Sequence, residues 1–189
     1  MHIDHERTIE LVKKGDKQAF GALVVQNQQY AFNLAFKLVC DEDDARDVVQ
    51  EAFLKIWKHI TSYKTEMRFT TWMYKIVSNT AIDFLRARKR IEKTDIDALS
   101  DMVAQVCYND PETELNNREM ADMITLLAEE LSEKQRLVFI LRDLEGLESA
   151  EVEKIAGLPQ HSVKSNLYHA RKAIRDKLSK IISFERSTV

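Results

Sequence analysis

Ser149-Ala-Glu-Val-Glu-Lys-Ile-Ala-Gly-Leu-Pro-Gln-His-Ser-Val-Lys-Ser-Asn-Leu-Tyr-His-Ala-Arg171 divides into two helical stretches around Gly157-Leu158-Pro159. The first stretch spans Ala150 to Ala156, and a glycine at 157 tolerates the positive backbone angle that a tight interhelical turn needs. Val152, Ile155 and Ala156 can then pack against Leu158, Val163 and Leu167. Such a unit lays its second helix in the DNA major groove with N-terminal side chains on base edges. The side chains available there are Gln160, His161, Ser162, Lys164, Ser165, Tyr168, His169, Arg171 and Lys172. Glutamine, serine and histidine can read base edges, while lysine and arginine mainly neutralise phosphates. An ordinary helical hairpin with a solvated basic face fits the same pattern, so the segment alone leaves both readings open. Glu153 sits where helix-turn-helix units carry a small residue. It is expected to turn outward or find a basic partner, because an unpaired buried carboxylate is costly.

Helical period continues upstream. Ser132-Glu133-Lys134-Gln135 fits a capping box, Leu137, Val138, Ile140 and Leu141 continue a buried face, and Gly146 can close that helix in a left-handed cap. Before it, Met120, Met123, Ile124 and Leu127 recur at helical steps. Further out, Phe20, Leu23, Val24, Ala31, Leu34, Ala35 and Leu38 mark a long helix. A second opens around Asp43 and Asp44, whose carboxylates suit a helix N-terminus, and carries the stripe Ala45, Val48, Val49, Ala52, Phe53 and Ile56. Ser62 to Arg68 reads as a loop, and a third helix runs from about Phe69 to Arg90. Residues 92–115 are acidic, weakly periodic and hold the turn signal Asn109-Asp110-Pro111. The expected architecture is all-α, with helical domains at 1–91 and 116–189 joined by an acidic flexible linker at 92–115.

Composition agrees. Of 189 residues, 44% are apolar and 31% charged, and only four glycines and two prolines are available for turns. The net charge of −3 hides a division. Arg86, Arg88, Lys89, Arg90 and Lys93 form one basic run, and Lys164, Arg171, Lys172, Arg175, Lys177 and Lys180 another. Asp95, Asp97, Asp101, Asp110, Glu112 and Glu114 lie between. Two basic patches divided by an acidic connector suggest two polyanion contacts. Cys40 and Cys107 stand far apart and outside any CxxC or Cys/His cluster, which argues against a zinc site or disulfide framework. No signal peptide or bilayer-length apolar run is present, so a cytoplasmic protein without membrane insertion or cofactor is expected.

Two further surfaces stand out. Between Arg68 and Arg90, Phe69, Trp72, Ile76, Ile82 and Leu85 suit a core, while Tyr63, Lys64, Lys75, Asn79, Arg86 and Arg88 suit a basic face. Aromatic and cationic side chains together can hold separated DNA strands. Core packing explains most of the aromatics equally, and a helix C-terminus explains the arginines. Asp44, Asp47 and Glu51 share one face of the second helix, next to Gln50 and Lys55. A metal site and a solvated acidic face are two readings of it. Docking of a basic, partly apolar partner helix better explains Leu54 and Trp57 beside the acids.

Three runs in this order resemble the sigma-70 family, specifically its extracytoplasmic-function (ECF) group. They are Asp44-Ala-Arg-Asp-Val-Val-Gln-Glu-Ala-Phe-Leu-Lys-Ile-Trp57, Phe69-Thr-Thr-Trp-Met-Tyr-Lys-Ile-Val-Ser-Asn-Thr-Ala-Ile-Asp-Phe-Leu-Arg86, and Leu131-Ser-Glu-Lys-Gln-Arg-Leu-Val-Phe-Ile-Leu-Arg-Asp-Leu-Glu-Gly-Leu147 with Val163-Lys-Ser-Asn-Leu-Tyr-His-Ala-Arg171. The resemblance implies an alternative sigma factor with no catalysis of its own, recruiting core RNA polymerase to promoters through −10 and −35 elements. Asp44, Asp47, Gln50, Glu51, Phe53, Leu54 and Trp57 match the stretch that docks on the β′ coiled coil. Tyr63, Lys64, Trp72, Lys75, Asn79, Arg86, Arg88, Lys89 and Arg90 fall in the part that captures melted −10 DNA. The C-terminal unit matches the reader of duplex −35 DNA and would grip the β flap. An anti-sigma factor is a further expected partner. Asn166 and Glu153 depart from the family's usual arginine and alanine, and Glu148 from its capping serine or threonine, with Ser149 as the expected substitute cap. The competing classes are a stand-alone helix-turn-helix regulator, a metal-dependent helical enzyme and a pure protein-interaction module.

Overall fold

The computed structural model describes residues 5–94, 127–128 and 131–187, with side chains described for 6–90, 127–128 and 131–180. Every regular element among them is helical. Helix α1 (His5–Lys13) ends at Gly15, whose φ of +89° turns the chain into α2 (Lys17–Val39). Asp16 caps α2, its carboxylate accepting the N–H groups of Gln18 at 2.8 Å and Ala19 at 3.0 Å. The sequence period did not reveal α1, because Ile9 and Val12 are its only buried apolar side chains and Leu11 faces outward. Cys40 (φ +59°) closes α2, its N–H donating to Phe36 O, and Asp41 opens α3 (Glu42–His59) by accepting the Asp44 N–H at 2.9 Å. Asp43 and Asp44 therefore lie inside the first turn, where carboxylates oppose the helix dipole. A 3-10 turn (Ile60–Ser62) and a loop to Arg68 lead to α4 (Phe69–Thr94), three residues past the expected domain end at 91.

The chain resumes at the capping box. The Gln135 N–H donates to Ser132 Oγ, the Gln135 side chain accepts the Ser132 N–H, and α5 (Glu133–Phe139) follows. A wider π-helical turn (Ile140–Leu144) continues α5, and Gly146 at φ +68° reverses the chain as expected. Helix α6 (Ser149–Ala156) ends at Gly157 (φ +64°), and α7 (Gln160–Ser187) begins after Pro159. Glu148 holds the cap position of α6 without a side-chain cap bond. Ser149 is already the first helical residue and does not substitute for it. Glu153 turns outward, which removes the cost of burying it. The acidic stretch beyond Thr94 and the periodic residues Met120, Met123 and Ile124 lie outside the described residues.

The buried apolar side chains form two clusters. The larger runs from Leu23, Leu34, Val48, Ile56, Met73 and Val77 through Leu137, Val138, Ile140 and Leu141 to Val152, Ile155 and Val163. A smaller core of Ala128, Leu131, Phe139, Ala170 and Ile174 belongs to the C-terminal unit alone. Helices α4 and α6 pack directly, and the helix-turn-helix is thereby held against the N-terminal unit. Because the capping box starts α5 at this joint, Ser132→Ala is expected to lower stability by about 1 kcal/mol, read as a denaturant-midpoint shift at unchanged slope.

Candidate nucleic-acid and polymerase interfaces

Helix α7 separates its faces cleanly. Val163, Ala170 and Ile174 point inward at 6% exposure or less, and Leu167 is half-buried. That rotation sends Gln160, His161, Lys164, Ser165, Tyr168, His169, Arg171 and Lys172 outward, with Ser162 half-buried. Tyr168 is 65% exposed and meets His169 edge-on at 5.4 Å, giving an exposed polar-aromatic surface. Asn166, one of the family departures, is half-buried and spends its amide on Ser162 O at 2.8 Å. It therefore acts on its own helix. Arg171 is held by Asp143 through two bonds, Nε at 2.8 Å and Nη2 at 2.6 Å. This fork keeps the guanidinium charged and fixes its position at the edge of the outward face.

Along α4, Trp72, Lys75, Asn79 and Arg86 recur at three-, four- and seven-residue steps and so share one stripe. Lys75, Asn79, Arg86, Arg88, Lys89 and Arg90 are exposed, as is Lys64 in the preceding loop. Tyr63 is placed differently from expectation. It is 6% exposed, its hydroxyl donates to Met67 O at 2.6 Å, and its ring lies 5.8 Å from Phe69 and 5.3 Å from Trp72. Burial pushes its phenol above the usual range. The ring packs the loop instead of offering a face to DNA. Trp72 is half-buried in the same cluster.

On α3, Asp47, Gln50 and Glu51 are exposed around Leu54, which is 55% exposed. Glu51 pairs with Lys55 at 2.8 Å. Phe53 is buried beneath them, and Trp57 is half-buried, its ring 4.9 Å from Phe20. An open apolar cleft of about 440 Å³, lined by Phe20, Val24, Phe32, Val49, Phe53 and Leu54, runs beside this face. Asp44 turns away from it toward Arg88, whose Nη1 donates to Oδ2 at 2.7 Å. Burial, then Asp41, raises its carboxyl above the usual range despite Arg88. Among the described residues no cluster of three or more His, Cys, Asp or Glu side chains could hold a metal ion, and no helix is long and apolar enough to cross a membrane.

The joint between the units joins residues that sequence reasoning kept apart. Glu133 of α5 accepts Arg86 Nε at 3.1 Å and Nη2 at 2.8 Å. Glu145 accepts Lys37 Nζ at 2.5 Å and the Tyr74 hydroxyl at 3.0 Å. Glu151 accepts Thr71 Oγ1 at 3.2 Å, with Arg68 at 3.9 Å. Burial and Glu145 together raise the Tyr74 phenol well above its ordinary value, so it stays a donor throughout the neutral range. Three carboxylates of the C-terminal unit thus engage side chains of α4 and α2. Glu133→Gln is expected to tighten binding of a single-stranded oligonucleotide by the full chain about fivefold at low salt, measured by anisotropy. The gain should vanish in Glu133→Gln/Arg86→Ala.

Sequence comparison places this geometry in a known class. Residues 23–91 match Sigma-70 region 2, and residues 121–174 match Sigma-70, region 4. The ECF RNA polymerase sigma-E factor of Escherichia coli (strain K12) is 34% identical over 180 residues, covering 92% of this chain and 94% of the relative. The RNA polymerase sigma-H factor of Pseudomonas aeruginosa is 30% identical over 183 residues, covering 94% and 95%. The fold is shared with CnrH in complex with the cytosolic domain of CnrY (TM-score 0.66, 20% identity, 92% of this chain and 96% of that one). It is also shared with the sigma factor RpoE bound to the anti-sigma factor NepR from Bartonella quintana (TM-score 0.68, 21% identity, 85% and 96%). The chain belongs to the ECF group of the sigma-70 family. It is a sigma factor of promoter-specific transcription initiation.

Proposed function

We propose that the three surfaces divide the work of initiation. Helix α3 docks on the β′ coiled coil of core RNA polymerase through Asp47, Gln50, Glu51 and Leu54, with Phe53 and Trp57 supporting from beneath and Asp44 fixed by Arg88. The observation that carries this reading is Leu54, a large apolar side chain left exposed inside a ring of polar and acidic ones beside an apolar cleft. Such a patch fits a basic partner helix with an apolar stripe. Lys64, Lys75, Asn79, Arg86, Lys89 and Arg90 hold the melted −10 strand, with Trp72 at the margin and Tyr63 shaping the loop. The outward face of α7 reads duplex −35 DNA, and neighbouring helices grip the β flap.

The working units are 1–91 and 116–189, connected by 92–115. The chain acts in the cytoplasm, performs no catalysis and leaves the chemistry to polymerase. An anti-sigma partner is part of the reading, since CnrH and RpoE were both solved with a bound protein, NepR being named an anti-sigma factor. The test is titration of labelled chain with core polymerase, with and without Asp47→Lys. Loss of binding in a folded variant supports the docking face, and unchanged binding rejects it. On DNA, Lys164→Ala should weaken −35 binding evenly across sequences and reduce the salt slope by about one unit. Gln160→Ala should change preference at one position by about 1–3 kcal/mol, seen by competition with single-base variants.

A further inference from the structure

Helix α5 brings an arginine into the joint. Arg136 is 8% exposed, and its Nε is buried with no hydrogen-bond partner. Its Nη2 donates to Lys37 O at 3.3 Å and to Cys40 Sγ at 2.9 Å. A guanidinium this far from water needs a counter-charge. No carboxylate among the described residues forms an ion pair with it. The carboxylates of the joint are committed elsewhere: Glu145 to Lys37 and Tyr74, Glu133 to Arg86, and Asp41 to the start of α3. The one contacting atom able to become an anion is the sulfur of Cys40. This residue is in no disulfide, is half-buried, has its sulfur 3.9 Å from Lys37 O as well, and sits between α2 and α3.

We propose that Cys40 is a thiolate held by Arg136 and is a modification site for hydroperoxides and soft electrophiles, placed so that reaction loosens the joint between the two helical units. Thiolate beside a fixed cation and within reach of solvent is the reactive form of cysteine. With hydrogen peroxide, the sulfur attacks one peroxide oxygen, the S–O bond forms and the O–O bond breaks. The sulfur loses two electrons, and the departing hydroxide takes up a proton as water. The product is a sulfenic acid. The added oxygen must enter a contact only 2.9 Å long, and the neutral product no longer offsets the charge of Arg136. Both effects favour separation of α5 from the α2–α3 corner.

The test uses the full chain with Cys107→Ser, which leaves Cys40 as its sole cysteine. Iodoacetamide alkylation is timed at pH 6.5 and 9.5. The ratio of the two rates reports the thiolate fraction, because accessibility scales both rates alike. That ratio is expected to be about tenfold or more above that of a cysteine peptide measured alongside, to fall toward the peptide value in Arg136→Gln, and to survive in Arg136→Lys. Hydrogen peroxide is then expected to enlarge the radius of gyration in small-angle scattering, and to leave a Cys40→Ser/Cys107→Ser chain unchanged. A peptide-like ratio in the unsubstituted joint, or scattering unaltered by peroxide at a dimedone-trapped Cys40, overturns the proposal. The peptide reference keeps the first arm decisive even if Arg136→Gln unfolds. Polymerase takes no part, so failure here leaves the docking assignment untouched.

Discussion

Leu54→Asp is expected to weaken binding to core RNA polymerase by about thirty-fold or more while leaving the thermal midpoint of the free chain unchanged. Leu54 is 55% exposed, so its replacement opens no cavity and breaks no buried contact. On the proposed docking face the same side chain is central, flanked by Asp47, Gln50 and Glu51. Central apolar anchors of this kind cost about 2 kcal/mol or more when removed, and a buried carboxylate adds its own desolvation penalty. Asp47→Lys should act in the same direction by reversing a rim charge, with a stronger effect on association rate. Trp57 is a poorer probe. Its ring packs on Phe20, so Trp57→Ala mixes lost docking with lost core. Equal affinities of Leu54→Asp and the parent chain, by anisotropy or by competition, would remove α3 from the polymerase interface.

Ile155→Ala is expected to destabilise the chain by about 2–5 kcal/mol, as deletion of a fully buried aliphatic side chain does. Ile155 is 1% exposed and belongs to the core that continues from α6 through α5 into α2, α3 and α4. Two consequences distinguish this from a local defect. The shift should appear in probes of both units, because they share that core. The same variant should also loosen the joint and increase oligonucleotide binding through Arg86, since Glu133 is held in place by the packing of α5. Hydrogen exchange followed unit by unit measures the first effect, and oligonucleotide anisotropy the second. If exchange rises in α6 and α7 alone, the continuous core does not couple the units.

What was legible in the sequence was local. The capping box at Ser132, the left-handed closures at Gly146 and Gly157 and the inward Val152, Ile155 and Val163 depend on neighbours within one or two helical turns. Their signals were written in residue type and spacing. Helix α1 escaped because nine residues with two inward apolar side chains carry little period, though Gly15-Asp16 is a stop-and-start signal that could have exposed it. The joint escaped for a different reason. Glu133, Glu145 and Glu151 read as ordinary helix-terminal and surface acids, and nothing in one sequence couples them to Arg86, Lys37 or Thr71. Arg136, set directly before the buried run Leu137-Val138-Phe139, was the one available warning. Tyr63 was misplaced because an aromatic beside a lysine looks alike whether the ring packs a loop or awaits a base.

The central claim is that this chain turns core polymerase into a promoter-specific enzyme through three separable surfaces. Run-off transcription on a pool of promoter-containing fragments, with core polymerase plus the full chain, tests it most directly. The account predicts starts from a subset of fragments sharing −10 and −35 elements, lost with Leu54→Asp and redistributed among fragments with Gln160→Ala. Tight binding to duplex DNA without polymerase, coupled with no transcription from any fragment, would contradict it and leave a stand-alone DNA-binding regulator in its place.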